Sequence, residues 1–270
     1  EYFVYEADEY DRNFLAFEPF VSIIVGVDWD HPDIFPSREE YYSAFRTFLN
    51  QSKQAVLWDE DAKRLGLTPA DSQLVLQQTD PAINARAHLP GLVNRQNAWQ
   101  VAHTVHTLTG KSMDELLAHL DKFPGIGRRF EQIAPHIYSD YAHTPPKIRG
   151  ALQLAHEVGG NNVIVVYEGL HNTRQHFIKD ELPHLFDSAK QLYIVPSYLA
   201  REDQSLALWT PDHLKNLMSP ETRARTTAAK LDDDLKAAIA KHAEAGDLVL
   251  CITAGGGGSL DEWLRQEFAQ

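Results

Sequence analysis

Val163-Ile-Val-Val-Tyr167 and Leu248-Val-Leu-Cys-Ile252 are unbroken apolar runs of strand length, and each leads into a polar segment that opens a helical pattern. An unbroken run has no wet face, which is the condition of a strand buried between two layers of helices. Outward from these runs, Ile137 to Ser139 and Leu192 to Val195 read as further strands. Helical stretches fall near Lys147 to Glu157, Phe177 to Ala189, Leu231 to Glu244 and Ser259 to Phe268. Such alternation predicts an α/β domain with a parallel sheet and helices on both faces. Ligands bind such sheets at the carboxyl ends of the strands. The segments to weigh are therefore Asp140 to His143, Glu168 to Arg174 and Ala254 to Ser259.

Upstream the pattern differs. Tyr2-Phe-Val-Tyr5, Val21 to Val27 and Gln54 to Trp58 read as strands, and a helix from about Arg38 to Asn50 makes the last two a βαβ unit. Tyr41, Tyr42, Phe45, Phe48 and Leu49 recur at helical spacing and are expected in a core. A helix from Asn94 to Leu108 is entered from Pro90-Gly91, and Ser112-Met-Asp-Glu115 has the spacing of a capping box. That last helix ends before Pro124-Gly125, which predicts one domain over 1–122 and a second over 123–270. The stretch from Thr68 to His88 has no clear period and reads as a loop or short subdomain.

The 270 residues suffice for two ordinary domains, and 43% apolar residues argue for packed cores. A net charge of −13 disfavours non-specific nucleic-acid binding, which needs clustered Lys and Arg. The single cysteine, Cys251, excludes an internal disulfide, fits a reducing, cytoplasmic setting, and reads as a buried thiol without chemistry. No run reaches the roughly 20 apolar residues of a membrane span, and no signal peptide is present. A start without Met, inside an apolar run, reads as a fragment or a processed product.

The strongest local chemistry is Glu6-Ala-Asp-Glu-Tyr-Asp11 followed by Asp28-Trp-Asp-His-Pro-Asp33, two acidic clusters at successive strand ends. Carboxylates and an imidazole there can converge on a divalent cation, or they can cap helices and face water. Asn94 and Asn97 could be a helix cap and an exposed polar residue, Arg128 and Arg129 could be solvated charges, and His143 could hold a loop. The Ala254-Gly-Gly-Gly-Gly-Ser259 turn invites a phosphate-loop reading, but its place near the last residues argues for close backbone approach instead.

In this order Glu6-Ala-Asp-Glu, Asp30-His31-Pro-Asp33, Pro90-Gly91-Leu-Val-Asn94-Arg-Gln-Asn97, Gly125-Ile-Gly-Arg128-Arg129-Phe-Glu131 and Ser139-Asp140-Tyr141-Ala142-His143 resemble the Mur ligase family over essentially the whole chain. The resemblance implies an incomplete central ATPase-type domain followed by a Rossmann-like C-terminal domain. It also implies ATP and Mg²⁺ as cofactors, and UDP-N-acetylmuramate and an amino acid or peptide as substrates. Glu6 and His31 match the positions that hold Mg²⁺; Asn94 and Asn97 match the adenine side; Arg128 or Arg129 matches a phosphate contact; Asp140 matches the ribose acid. Tyr141 and His143 match residues lining the amino-acid pocket, and Arg174 lies near positions that hold a carboxylate. The implied reaction phosphorylates a carboxylate and lets an amine attack the acyl phosphate.

The family pattern also fails in places. No Gly-x-x-x-x-Gly-Lys-Ser/Thr phosphate loop occurs, and the resemblance places that loop upstream of Glu1, so this chain alone is expected to be inactive. Val93 stands for the usual His before Asn94, Thr144 for a second His after His143, and Gly169-Leu170 for Pro followed by a polar or basic residue. A non-catalytic binding module and a folylpolyglutamate-type ligase remain the alternatives.

Overall fold

The two runs that open the reading lie side by side. In the computed structural model, which describes residues 2–68, 70, 72–200 and 202–269, Val163↔Leu248 through Tyr167↔Ile252 pair in parallel register. Val163, Val165 and Tyr167 face one apolar cluster, while Ile164 and Val166 face another. Both faces are dry, so each of these side chains contributes about 1.5–3 kcal/mol of burial.

The chain divides into two units, one ending at Phe123 and the other beginning at Pro124. The first holds β1 (Val21–Ile23), α1 (Arg38–Gln51), β2 (Gln54–Trp58), α2 (Asp59–Arg64), β3 (Gln73–Leu76), α3 (Pro81–Arg86), α4 (Leu92–Thr109) and α5 (Met113–Leu120), preceded by a short 3₁₀ segment, Tyr10–Ala16. Its sheet is parallel in the order β1-β2-β3. The aromatic stripe of α1 is core, with Tyr41, Phe45 and Phe48 packed on Phe14 and Phe35. Ser112 caps α5 by accepting from the Glu115 amide, as the capping box predicts.

The second unit holds β4 (Glu131–Ala134), β5 (Ile137–Asp140), α6 (Pro145–Gly159), β6 (Val163–Leu170), α7 (Asn172–Phe177), α8 (Leu182–Leu185), β7 (Gln191–Tyr198), α9 (Pro211–Leu217), α10 (Pro220–Ala224), β8 (Thr226–Ala228), α11 (Asp233–Glu244), β9 (Leu248–Ile252) and α12 (Leu260–Phe268). The sheet order is β4-β5-β9-β6-β7-β8, parallel except for β4, which runs antiparallel to β5. Side chains of α6, α8 and α9 cover one face, and those of α11 and α12 the other. The unit is the expected Rossmann-like α/β domain. Cys251 is fully buried, and burial pushes its thiol well above the ordinary range.

Several expected elements differ. Tyr2-Phe-Val-Tyr5 forms no strand; Phe3 and Val4 are 91% and 89% exposed. Only Val21–Ile23 of the run to Val27 is strand, because the ladder with β2 stops there. Of the helix expected over Phe177 to Ala189 only the short α8 forms, α7 ending at Phe177, and Pro183 in the first turn of α8 cannot continue an upstream helix. The aperiodic stretch from Thr68 to His88 contains β3 and α3, with Asp80 capping the latter through the Ala82 amide. No helix among the described residues is long and apolar enough to cross a membrane.

Candidate functional site

In the second unit, β5, β9 and β6 are parallel neighbours, so the segments that follow them share one edge of the sheet. The loop before β4 is folded back onto that edge. Arg128 and Phe130 take left-handed backbone angles, φ 58° and 48°, each costing about 1–3 kcal/mol for a residue other than glycine. Several bonds hold them there. The Tyr141 amide donates to the Arg128 carbonyl at 2.9 Å, the Phe130 amide to Asp140 Oδ2 at 2.9 Å, and the Arg128 amide to Glu131 Oε2 at 2.6 Å. Arg265 grips Glu131 with two bonds of 3.0 and 2.7 Å, which together with the Arg128 amide hold that carboxyl down to about 2.

The strained loop presents two guanidinium groups around one ring. Arg128 and Arg129 lie 5.6 and 5.4 Å from the Tyr141 centroid, and Arg129 Nη1 donates to the Tyr141 carbonyl at 3.2 Å. Burial pushes the Asp140 carboxyl above its usual range, against the pull of the Phe130 amide and the Arg129 charge. His143 stacks obliquely on Tyr141 at 5.0 Å. Its Nδ1 is 2.9 Å from the Tyr141 carbonyl and its Nε2 is 3.3 Å from Lys147 Nζ. That pairing assigns a neutral ring with the proton on Nδ1, because a carbonyl accepts and an ammonium donates.

The tetraglycine turn closes this cluster. A Cβ on Gly255, whose φ is +66°, would lie 2.5 Å from Arg128 Nη1, and one on Gly256 would lie 2.5 Å from the Tyr198 hydroxyl. Close backbone approach is what the glycines supply here. Glu168, which no motif had marked, braces both ends of the turn by accepting from Ala254 and Leu260 amides at 2.8 and 3.0 Å. It is 3% exposed, and burial pushes its carboxyl up to about 7. Thus Arg128, Arg129, Asp140, Tyr141 and His143 meet in one cluster, while Arg174 is buried on α7, which follows β6 at the same edge.

The first unit carries the other expected residues. Glu9, Asp30 and His31 can each turn a ligand atom to within 4.8 Å of the others, with His31 Nε2 3.6 Å from Glu9 and 4.0 Å from Asp30. Two carboxylates and an imidazole suit a divalent cation. Asp30 is 5% exposed, and His31 holds a left-handed φ of 54° with its amide on Asp30 Oδ1. Glu6 is exposed and stands outside this trio. Asn94, in the first turn of α4, donates to the Pro90 carbonyl at 2.7 Å, and Asn97 is half-buried one turn on. A cavity of about 230 Å³ at the start of α4 is lined by Gln78, Thr79, Asp80, Asn84, Leu92 and Gln96 with Ile83, and neither Asn94 nor Asn97 lines it.

Paired arginines, a buried acid and a glycine turn thus meet at the carboxyl edge of a wound α/β domain, the edge at which ligands bind in this class of fold. Residues 128–255 match the Mur ligase glutamate ligase domain. A UDP-N-acetylmuramate–L-alanine ligase from Roseiflexus castenholzii is 29% identical over 96% of this chain, which spans 64% of that protein. The solved UDP-N-acetylmuramate–alanine ligase of Thermotoga maritima superposes with a TM-score of 0.61 at 22% identity, covering 94% of this chain and 60% of its own. A pseudomurein peptide ligase from Methanothermus fervidus gives 0.62 at 16% identity, covering 92% and 62%. The chain is thus similar to Mur ligases over nearly its whole length, and the family model matches its second unit.

Proposed function

We propose that the protein is an ATP-dependent ligase that joins L-alanine or a peptide to UDP-N-acetylmuramate in peptidoglycan synthesis. The observation that carries this reading is the pair of guanidinium groups held around Tyr141 by a strained loop at the carboxyl edge of the sheet. Strain of that kind persists only where surrounding bonds over-determine it, and planar guanidinium forks suit phosphate oxygens.

In this reading Arg128 and Arg129 neutralise phosphate charge, which is the main protein contribution to phosphoryl transfer. Asp140 accepts from a ribose hydroxyl. Asn94 and Asn97 face the adenine side, where an amide can both donate and accept. Tyr141, neutral His143 and Arg174 orient the amine and a carboxylate. Glu9, Asp30 and His31 fit Mg²⁺, with Glu6 as the alternative carboxylate. ATP supplies the phosphoryl group that gives the substrate carboxylate a leaving group.

The test is calorimetric titration of the folded chain with a non-hydrolysable ATP analogue and Mg²⁺, repeated on Asn97→Ala and Arg129→Ala. Each variant is expected to lose about tenfold in affinity, the worth of one charge-assisted or amide contact. Binding that neither change weakens, or no binding by folded chain, would remove the nucleotide from these residues.

A further inference from the structure

One side chain pins both ends of the turn from Ala254 to Leu260. Glu168 accepts from the Ala254 amide through Oε2 at 2.8 Å and from the Leu260 amide through Oε1 at 3.0 Å. Ala254 and Leu260 are buried as well, and a buried amide left without an acceptor is costly. From these two anchors, contacts reach Arg128 by two routes. Gly255 follows Ala254 directly and packs on the guanidinium: a Cβ there would lie 2.5 Å from Arg128 Nη1 and 3.3 Å from the Tyr141 ring. Leu260 opens α12, whose Arg265 donates to Glu131 Oε2 at 2.7 Å, and that oxygen accepts from the Arg128 amide at 2.6 Å. The first route backs the side chain of Arg128 and the second holds its backbone.

The charge state of Glu168 decides how firmly those anchors hold. Its neighbours on the flanking strands, Val195 of β7 and Ile252 of β9, are apolar, and Arg174 of α7 acts on the adjacent Tyr167. Helix α12 contributes Asp261, which opposes ionisation and is itself held by the Ser139 hydroxyl at 2.6 Å and by Arg265 at 3.0 Å. Burial is the larger cause and pushes the Glu168 carboxyl up to about 7, so both forms are populated near neutral pH. A carboxylate accepts about twice as strongly as a neutral group, so protonation slackens both ends of the turn together.

We propose that Glu168 is a positioning residue for Arg128: its carboxylate form holds the turn against the guanidinium and strengthens anion binding at this edge, and its protonated form relaxes that hold. This role rests on the reading that Arg128 meets phosphate oxygens. Its consequence has an unusual sign. A proton on His143 or Asp140, which share the cluster, makes the edge more positive and strengthens anion binding as pH falls. Direct repulsion between Glu168 and an anion acts in the same direction. Positioning through the turn makes binding stronger as pH rises. Coupling between two sites is reciprocal, so an anion that prefers ionised Glu168 must lower the pH at which that carboxyl titrates, whereas repulsion would raise it.

The experiment is a carboxyl-carbon NMR titration of the whole chain, labelled at glutamate, with and without saturating sodium sulfate, whose dianion keeps one charge throughout. Sulfate is expected to lower the Glu168 midpoint by the equivalent of about fivefold tighter binding to the ionised form, the low end of coupling between sites. Arg128→Ala should abolish that effect. Glu168→Gln should bind sulfate weakly, with no rise in affinity as pH increases. A midpoint that sulfate raises or leaves unchanged overturns the positioning role, and this outcome is read in the wild type, so it holds even where a variant fails to fold. Sulfate bound through Arg128 with an unmoved midpoint keeps the phosphate reading of the edge and loses this one. A midpoint lowered by sulfate in a chain that does not bind the ATP analogue keeps the role of Glu168 and loses the nucleotide.

Discussion

Raising the pH from about 5.5 to about 8 should cost the protein about 2 kcal/mol through Glu168 alone. The carboxyl is buried at the end of β6, and desolvation raises it from 4.5 to about 7 against the pull of the Ala254 and Leu260 amides. Between those two values the folded chain keeps a proton that the unfolded chain has lost. Folded protein therefore binds more protons, and stability falls as pH rises through that window and levels off above it. The full shift corresponds to a ceiling of about 3.4 kcal/mol, of which about 2 falls between about pH 5.5 and about pH 8.

The assay is equilibrium urea unfolding of the wild type and Glu168→Gln at both pH values, read by circular dichroism. Glutamine offers one carbonyl oxygen where two amides need an acceptor, so the variant should be weaker by about 1–3 kcal/mol at about pH 5.5. Its stability should lack the fall of about 2 kcal/mol that the wild type suffers on going to about pH 8. Asp61, which burial raises to about 6, titrates in both proteins and cancels in the comparison. A gap between wild type and variant that is the same at both pH values would refute the reasoning, because Glu168 would then keep one charge state throughout.

Two further outcomes follow from the geometry. Mn²⁺ binding, read by electron paramagnetic resonance, should weaken by more than about tenfold in His31→Ala and Glu9→Gln and survive in Glu6→Gln; loss in Glu6→Gln with retention in Glu9→Gln would hand the ligand role to Glu6. Gly255→Ala should destabilise the chain by about 1–2 kcal/mol, since alanine must hold a left-handed φ. Its Cβ should also push Arg128 off the Tyr141 ring and weaken ATP-analogue binding, and an unchanged affinity would mean that Arg128 does not face the ligand.

The second unit was readable because β6 and β9 are buried on both faces, which leaves a run of Val, Ile and Leu that no other arrangement explains. Helices α6 and α11 carry clear periodic faces and were placed to within a few residues. The missed elements are short or lie at edges. Strand β4 is Glu-Gln-Ile-Ala, a half-wet antiparallel edge, and β8 is three residues at the opposite edge. Neither has the length to display a period, and nor do α9 and α10, whose only local signals are the cap-and-proline starts Thr210-Pro211 and Ser219-Pro220.

The site divides along the same physical line. Arg128, Arg129, Asp140, Tyr141 and His143 could be named from sequence because they sit in two short segments, and the hydrogen bonds from Phe130 to Asp140 and from Tyr141 to Arg128 tie those segments together. The choice between Glu6 and Glu9 could not be made that way, since residues 2–9 form no helix or strand and so carry no period to say which carboxylate turns toward His31. Glu168 and Lys147 belong to no motif at all. Their signals are contradictions of local preference: an acid closing a fully apolar strand, and a cation in a helix's first turn. Each of those conflicts costs free energy in isolation and is tolerated only where a partner answers it. Ala254 and Leu260 answer Glu168 within the fold, and the His143 ring lies 3.3 Å from the Lys147 ammonium at the start of α6.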